Sequence, residues 1–228
     1  MKPNEPELFP SRLEEDVVRY LNLARSDPQA IIEILTKAGA LLDAAQEDSE
    51  SDKSGEEDAI FETIQHLRGH KTVVKLEYLK TLHAAAKSQA GQVIRSGELT
   101  HFGENYESMS ERIRRFVGSK GSYAECFVIG HMIAETIVLS LLIDAGLPDK
   151  PNREIVLNNS FKSVGVSFID DFKGAPLCVL SFYGDSKSKL TAMFLDNPLD
   201  DQPWFSHQEG GLHCPQERVV RAQEWPGG

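Results

Sequence analysis

Two late segments of the chain alternate apolar residues with other types, at positions 164–168 and 178–182. The apolar positions are Val164, Val166 and Phe168 in the first segment and Cys178, Leu180 and Phe182 in the second. Residues typical of turns stand between the segments, namely Asp170, Asp171, Gly174 and Pro176. This pattern predicts a two-stranded hairpin, and other elements of the chain must cover its apolar face.

The elements available to cover the hairpin are helices, and they come earlier in the sequence. Ser11 and Glu14 form a capping-box pattern that predicts a first helix, and a second is expected over about 28–45. Further helical patterns lie at 59–67, 77–96, 111–116 and 132–145, with a short buried strand or turn at 126–129. Gly97 and Gly146 are expected to end the helices that precede them. Helices that precede a hairpin predict an α+β fold rather than a βαβ array.

The 228 residues suffice for one domain of ordinary size with extensions. We expect an N-terminal extension at 1–10, a folded domain at 11–185 and a C-terminal tail at 186–228. Seven acids and one lysine in residues 47–58 predict a flexible acidic loop within the domain. The net charge of −11 argues against nucleic acid as a partner.

Features that the sequence lacks indicate in which cellular compartment the protein is expected. It has no run of about eighteen apolar residues, so no membrane span is expected. The first residues have no apolar stretch of the kind found in signal peptides. Cys126, Cys178 and Cys214 are odd in number and far apart, which does not suggest a disulfide framework. These features favour a cytoplasmic protein with reduced cysteines.

Several segments, in order, carry motifs of a known family: 20–25, 82–102, 124–126, 137–157 and 159–166. With these motifs the chain resembles the CAP superfamily, whose SCP domain occurs in cysteine-rich secretory, antigen 5 and pathogenesis-related proteins. The resemblance spans about residues 11–185. It implies an α-β-α sandwich with helices on both sides of a small antiparallel sheet. It also suggests secretion, which is more common in the family than a cytoplasmic location.

The resemblance also implies a central cleft where two histidines and two acids converge, and in some members this set binds zinc. His101 takes the first histidine position and Glu125 the first acid position, while Asp144 falls near the second acid position. Asn152 stands where the second histidine would be, and an amide is a poor ligand for Zn²⁺. Zinc is therefore doubtful, and His101 with Glu125 is the weak candidate for any metal.

Simpler interpretations of the same residues stay open. His101 could be a half-buried histidine bonded to Glu125, a carboxylate that needs a partner if it is buried. Asp144 could be a helix-end residue. Cys126 is a poor candidate nucleophile, because an adjacent carboxylate raises the pKa of a thiol.

Three functions are compatible with the sequence. The resemblance favours a non-enzymatic scaffold that binds a lipid or sterol, a peptide or a protein partner through the cleft. The alternative is a metal-dependent hydrolase or protease acting through His101 and Glu125, which the Asn152 replacement weakens. A third possibility is an interaction protein that docks through the acidic loop and the tail.

Overall fold

The computed structural model describes residues 10–46 and 54–185. The helices in these ranges are α1 (Arg12–Ser26), α2 (Pro28–Gln46), α3 (Ser54–Gly69), α4 (Lys80–Ser96), α5 (Met109–Val117), α6 (Ala134–Ile143) and α7 (Pro151–Leu157). The strands are β1 (Glu77–Tyr78), β2 (Gly121–Ile129), β3 (Ser163–Phe172) and β4 (Ala175–Asp185). Only part of the extension 1–10 is described, and the tail 186–228 lies outside the described residues.

The sheet is built around the predicted hairpin. Its strand order is β1-β3-β4-β2, with β4 antiparallel to both β3 and β2. Lys173 and Gly174 turn the chain with φ angles of 55° and 88°, a backbone conformation that suits a tight hairpin. Strand β1 pairs parallel with β3, so the sheet is mixed rather than antiparallel throughout.

Helices cover both faces of this sheet, which confirms the α+β sandwich. The larger core contains apolar side chains of α1, α2, α3, α6 and α7 packed on the even-numbered residues of the central strands. The smaller cores lie on the other face, under α4 and α5. The fold therefore has three layers, and side chains that alternate along one strand reach different helical layers.

Gly165 shows how closely the helical layer approaches the sheet. A Cβ atom at this position would lie 2.0 Å from the backbone nitrogen of His83 in α4. The absence of a side chain therefore lets α4 pack directly on β3.

Most predicted elements are confirmed, and for the first helix the predicted capping box is confirmed as well. Ser11 accepts a hydrogen bond from the backbone of Glu14, which reaches back to the backbone of Ser11. Gly97 ends α4 in the left-handed conformation, as expected.

The boundaries of three predicted elements were wrong. Residues 54–58, assigned to the acidic loop, begin α3, where negative charge at a helix N-terminus is favourable. Residues 47–53 of that loop lie outside the described residues. Residues 77–78 form β1 instead of starting a helix. Helix α6 ends at Ile143, and Asp144 rather than Gly146 caps it in the left-handed conformation with φ 48°.

A search of the described residues finds no helix with the length and apolar character needed to cross a membrane.

Candidate functional site

The segment that follows α4 holds His101, and a buried glutamine fixes this segment. Gln89 is fully buried on α4, and its Nε2 donates to the backbone oxygens of Thr100 and Phe102 on either side of His101. The His101 ring stacks on Phe127 of β2, with ring centroids 4.3 Å apart and planes 8° from parallel. The histidine is thus held against the sheet on the face that α4 and α5 cover.

His101 and Glu125 meet, and a third residue joins them. His101 Nδ1 lies 2.9 Å from Glu125 Oε1. Arg112 donates from one guanidinium nitrogen to Glu125 Oε1 at 2.8 Å and to Oε2 at 2.7 Å. Its other terminal nitrogen donates to the His101 backbone oxygen at 2.9 Å. We call these three residues the Arg112–Glu125–His101 cluster.

Burial holds the ion pair between Arg112 and Glu125 in one arrangement. The side chains of Arg112 and Glu125 are 1% and 0% exposed, whereas that of His101 is 34% exposed. Ser181, directly opposite Glu125 in the sheet, lies 3.4 Å from its Oε2. Both carboxylate oxygens are therefore occupied, and Arg112 neutralises the buried charge.

Arg112 is the residue of this cluster that the sequence analysis missed. A capping box formed by Ser108 and Glu111 starts α5 and sets its register. This register turns Arg112 toward β2 at the first turn of the helix. One signal could have found it: Arg112 lies four residues before Phe116 and so shares a helical face with an apolar residue.

Asp144 and Asn152 form a second pair. The Asn152 backbone nitrogen donates to Asp144 Oδ2 at 2.7 Å, and its side-chain amide donates to Oδ1 at 2.8 Å. Lys150 also donates to the Asp144 backbone oxygen. The carboxylate thus ties the end of α6 to the start of α7, as expected for a helix-end residue.

The structure brings the four predicted site residues together as two pairs. The Glu125 side chain lies on the face covered by α4 and α5, whereas Asp144 ends α6, which packs on the other face. In the part of the chain that the structure describes, no three His, Cys, Asp or Glu side chains are grouped so as to hold a metal ion. The described residues do not fit the zinc site that the resemblance implies. Arg112 bonds to both carboxylate oxygens of Glu125, and Asn152 bonds to both carboxylate oxygens of Asp144.

Asp144 should leave a signature in the pH dependence of stability. Burial raises the pKa of this carboxyl, although the Asn152 hydrogen bonds oppose the change. A folded-state pKa above the unfolded value of about 4 means that the folded state binds more protons between the two values. The contribution of Asp144 to stability therefore decreases as pH rises through this window.

We expect the destabilisation caused by Asp144→Asn, measured by urea unfolding, to shrink as pH rises through that window, since asparagine does not titrate. Asp149→Asn serves as a control near the same turn. A destabilisation that grew with pH would show that the folded-state pKa is depressed.

Cys126 has the environment of a structural thiol. Burial raises its pKa well above the ordinary value, and the nearby Asp144 and Glu125 carboxylates act in the same direction. A thiol of this kind stays protonated and is not a nucleophile.

A cleft of about 540 Å³ lies between α4, α5 and the segment 103–107. Its walls include Ser88, Gln89, Gln92 and Arg95 from α4 and Arg112 and Arg115 from α5. Two buried atoms of these residues, Arg112 Nε and Gln89 Oε1, have no hydrogen-bond partner in the described structure. The cleft has the size of ordinary ligand sites, for which about 300–1,000 Å³ is typical.

Comparisons with known proteins give structural likeness only. No protein-family model matches the chain, and no curated protein matches it. Similar solved structures include an outer surface protein from Borrelia burgdorferi, with 18% sequence identity and a TM-score of 0.42. That match covers 59% of this chain and 96% of the other. Another is an extracellular protein from Bacillus anthracis str. Ames, with 13% identity and a TM-score of 0.41, covering 55% of this chain and 38% of the other. The second protein contains an SCP domain, the domain whose motifs this sequence resembles.

Proposed function

We propose that this chain is a non-enzymatic binding module and that its ligand occupies the cleft between α4 and α5. The observation that carries this proposal is the cleft itself, which has the volume of an ordinary ligand site and is lined by polar side chains of both helices and of the segment 103–107. The buried side chains of Arg112 and Gln89 fix the wall of this cleft, because they bond to the backbone of the segment around His101.

The chemistry of the cluster favours binding over hydrolysis. A general base needs a free lone pair within reach of its substrate. Glu125 has both oxygens engaged by Arg112, so it is not a free base, whereas His101 directs Nδ1 to that carboxylate and keeps Nε2 outside these contacts. A hydrolase acting through His101 would also need a metal ion or a nucleophile beside it, and the described residues group no three His, Cys, Asp or Glu side chains for a metal. These contacts suit a cluster that holds the segment around His101 in place and presents Arg112 to the cleft.

The lining of the cleft favours a polar ligand over the lipid or sterol that the resemblance implies. Its wall residues end in amides, hydroxyls, carboxylates and guanidinium groups, together with Gly103, so the apolar surface of the wall comes from the stems of polar side chains. A sterol buries mostly apolar surface, and its removal from water would gain little against such walls.

A pair of tryptophan variants tests the location of the site. Ser88 lines the cleft, and Ser88→Trp should fill it. Lys87 is exposed on the same helix and does not line the cleft, so Lys87→Trp is the matched control. We expect small polar ligands to shift the amide resonances of residues 88–95 and 101–115 in wild type and in Lys87→Trp, and to lose this effect in Ser88→Trp.

The ligands for this titration are neutral saccharides and blocked amino-acid amides, with a soluble sterol sulfate and a fatty acid as apolar comparisons. Saturable shifts of the cleft amides by the sterol or the fatty acid would contradict a polar site. Equal binding of a polar ligand by wild type and Ser88→Trp would place the site elsewhere.

A further inference from the structure

One edge of the sheet is closed by other parts of the chain. Strand β1 pairs with residues 163–164 of β3 at this edge. Beyond them, the Val166 backbone oxygen lies 2.6 Å from His83 Nδ1, and the Phe168 backbone nitrogen donates to Glu14 Oε1 at 2.9 Å. Side chains thus satisfy backbone groups that a further strand would otherwise bond to.

Strand β2 forms the other edge, and its outer backbone groups have no such partners. The Gly130 backbone nitrogen donates to the Pro176 oxygen at 2.9 Å, next to the last residue of β2. Because backbone groups alternate in direction along a strand, the even-numbered residues of β2 bond to β4 and the odd-numbered residues point outward. Within residues 10–46 and 54–185, no hydrogen bond reaches the outward backbone of four residues, which we call the open edge: Tyr123, Glu125, Phe127 and Ile129.

The open edge is accessible from outside. Glu125 as a whole is 5% exposed although its side chain is 0% exposed, so its exposed part is the backbone. Ile129 at the end of β2 is 40% exposed, and the side chains of Met132 and Ile133 just beyond it are also exposed. An apolar patch therefore continues the edge past the end of the strand.

Strand β2 lacks the features that usually prevent pairing between sheet edges. Such edges commonly have a lysine, a proline or a β-bulge. The sequence of β2 contains neither lysine nor proline, and its register with β4 has no shift. Its one charged residue is Glu125, which Arg112 neutralises inside the protein. The edge is therefore suited to pair with another strand.

Strand β2 is complementary to a second copy of itself. An antiparallel pair with a two-fold axis at Glu125 would use every residue of the open edge on both copies. Tyr123 would lie opposite Phe127 of the second copy, and aromatic pairs of this kind stabilise sheets. Gly121 would lie opposite Ile129 of the second copy and would leave room for it. The two Glu125 charges that meet at the axis are each neutralised within their own copy.

The size of the edge is sufficient for a dimer. Strand β2 has nine residues and so spans about 30 Å. Helices α5 and α6 contact β2 from opposite faces, and each layer adds about 10 Å, so the edge is about 20 Å wide. About 600 Å² of each copy would be covered, which approaches the roughly 800 Å² per partner of a standard interface. The exposed side chains of Met132 and Ile133 would extend this area.

We propose that the chain forms a symmetric homodimer in which the β2 strands of two copies pair antiparallel and join their sheets. No residue of β2 lines the cleft between α4 and α5, so the dimer does not depend on the proposed ligand site.

Sedimentation equilibrium over a wide range of protein concentration tests the dimer. We expect a species of twice the chain mass in wild type. Ile129→Lys should weaken the dimer at least about tenfold, because it buries a lysine at both ends of the symmetric interface. Ile94→Lys is the matched control, since Ile94 is 49% exposed and lies on α4, which packs on β3 and β4. The control should leave the dissociation constant unchanged.

Amide hydrogen exchange of the wild-type protein locates the interface without any substitution. The N–H groups of the open edge should exchange slowly where the dimer forms and rapidly on dilution, because the second copy supplies their acceptors. Slow exchange in a monomer at every concentration would place another segment of the same chain on this edge and would overturn the proposal. Rapid exchange at the open edge, whether the protein is a monomer or a dimer, would also overturn it, as would a dimer that Ile129→Lys weakens no more than Ile94→Lys.

Discussion

Arg112→Met is expected to lower the free energy of unfolding by about 3–5 kcal/mol, because it leaves the buried charge of Glu125 without its arginine and with contacts from His101 and Ser181 alone. The Glu125 side chain is 0% exposed, and Arg112 is its strongest partner. Glu125→Leu should cause a loss of similar size, since it leaves the buried guanidinium without its counter-charge. Urea unfolding followed by circular dichroism measures both changes.

The double variant distinguishes an ion pair from two independent packing residues. Replacing both partners by apolar residues often restores stability, so Arg112→Met with Glu125→Leu should lose much less than the sum of the single variants. Arg115→Met is a control, because Arg115 lies on the same helix in an exposed pair. Single-variant losses that simply add would contradict the ion-pair interpretation.

Arg25→Met is expected to cost about 4 kcal/mol or more, since the fully buried Arg25 has backbone carbonyl groups as its partners. Its guanidinium donates to the oxygens of Val74, Val156, Asn158 and Phe161 at distances from 2.6 to 3.0 Å. Burial lowers its pKa to about 10, so it still carries its charge at neutral pH. The side chain thus joins α1 to the chain before β1 and to the end of α7.

Arg19→Met is the matched control for Arg25→Met, because Arg19 lies on the same helix and its side chain is 69% exposed. We expect the control to change the unfolding free energy by less than about 0.5 kcal/mol. A loss at Arg25 no larger than the loss at Arg19 would show that water or rearranged backbone replaces the guanidinium.

Periodicity and cap chemistry predicted the elements that local sequence determines. The Ser11–Glu14 capping box is confirmed, as are the Gly97 cap and the hairpin. Each of these depends on contacts between residues close in sequence, or on the alternation of apolar residues along a strand. The α+β class followed from their order, and the family resemblance supplied the helices on both faces.

The missed elements depend on contacts that are distant in sequence. Strand β1 has two residues and exists through its parallel pairing with Ser163 and Val164. Helix α7 was not predicted, and its backbone is held by Arg25 from the other end of the sequence. Neither element has a pattern long enough to be recognised on its own.

The site was predicted in part, and the arginines account for the remainder. His101 and Glu125 meet as one interpretation of the sequence expected. Arg25 and Arg153 lie within the motif segments 20–25 and 137–157, and both are buried, which was not anticipated because arginine is ordinarily a surface residue. Arg112 was missed for the same reason, although it links the cluster to the cleft.

The amide resonances around the cleft in ¹⁵N-labelled protein test most directly whether the chain binds a ligand between α4 and α5. We expect residues 88–95 and 101–115 to shift saturably as a small polar ligand is added to wild type or to Lys87→Trp, and not in Ser88→Trp, whose indole ring fills the cleft. Saturable shifts of equal size in Ser88→Trp would contradict a ligand site in this cleft.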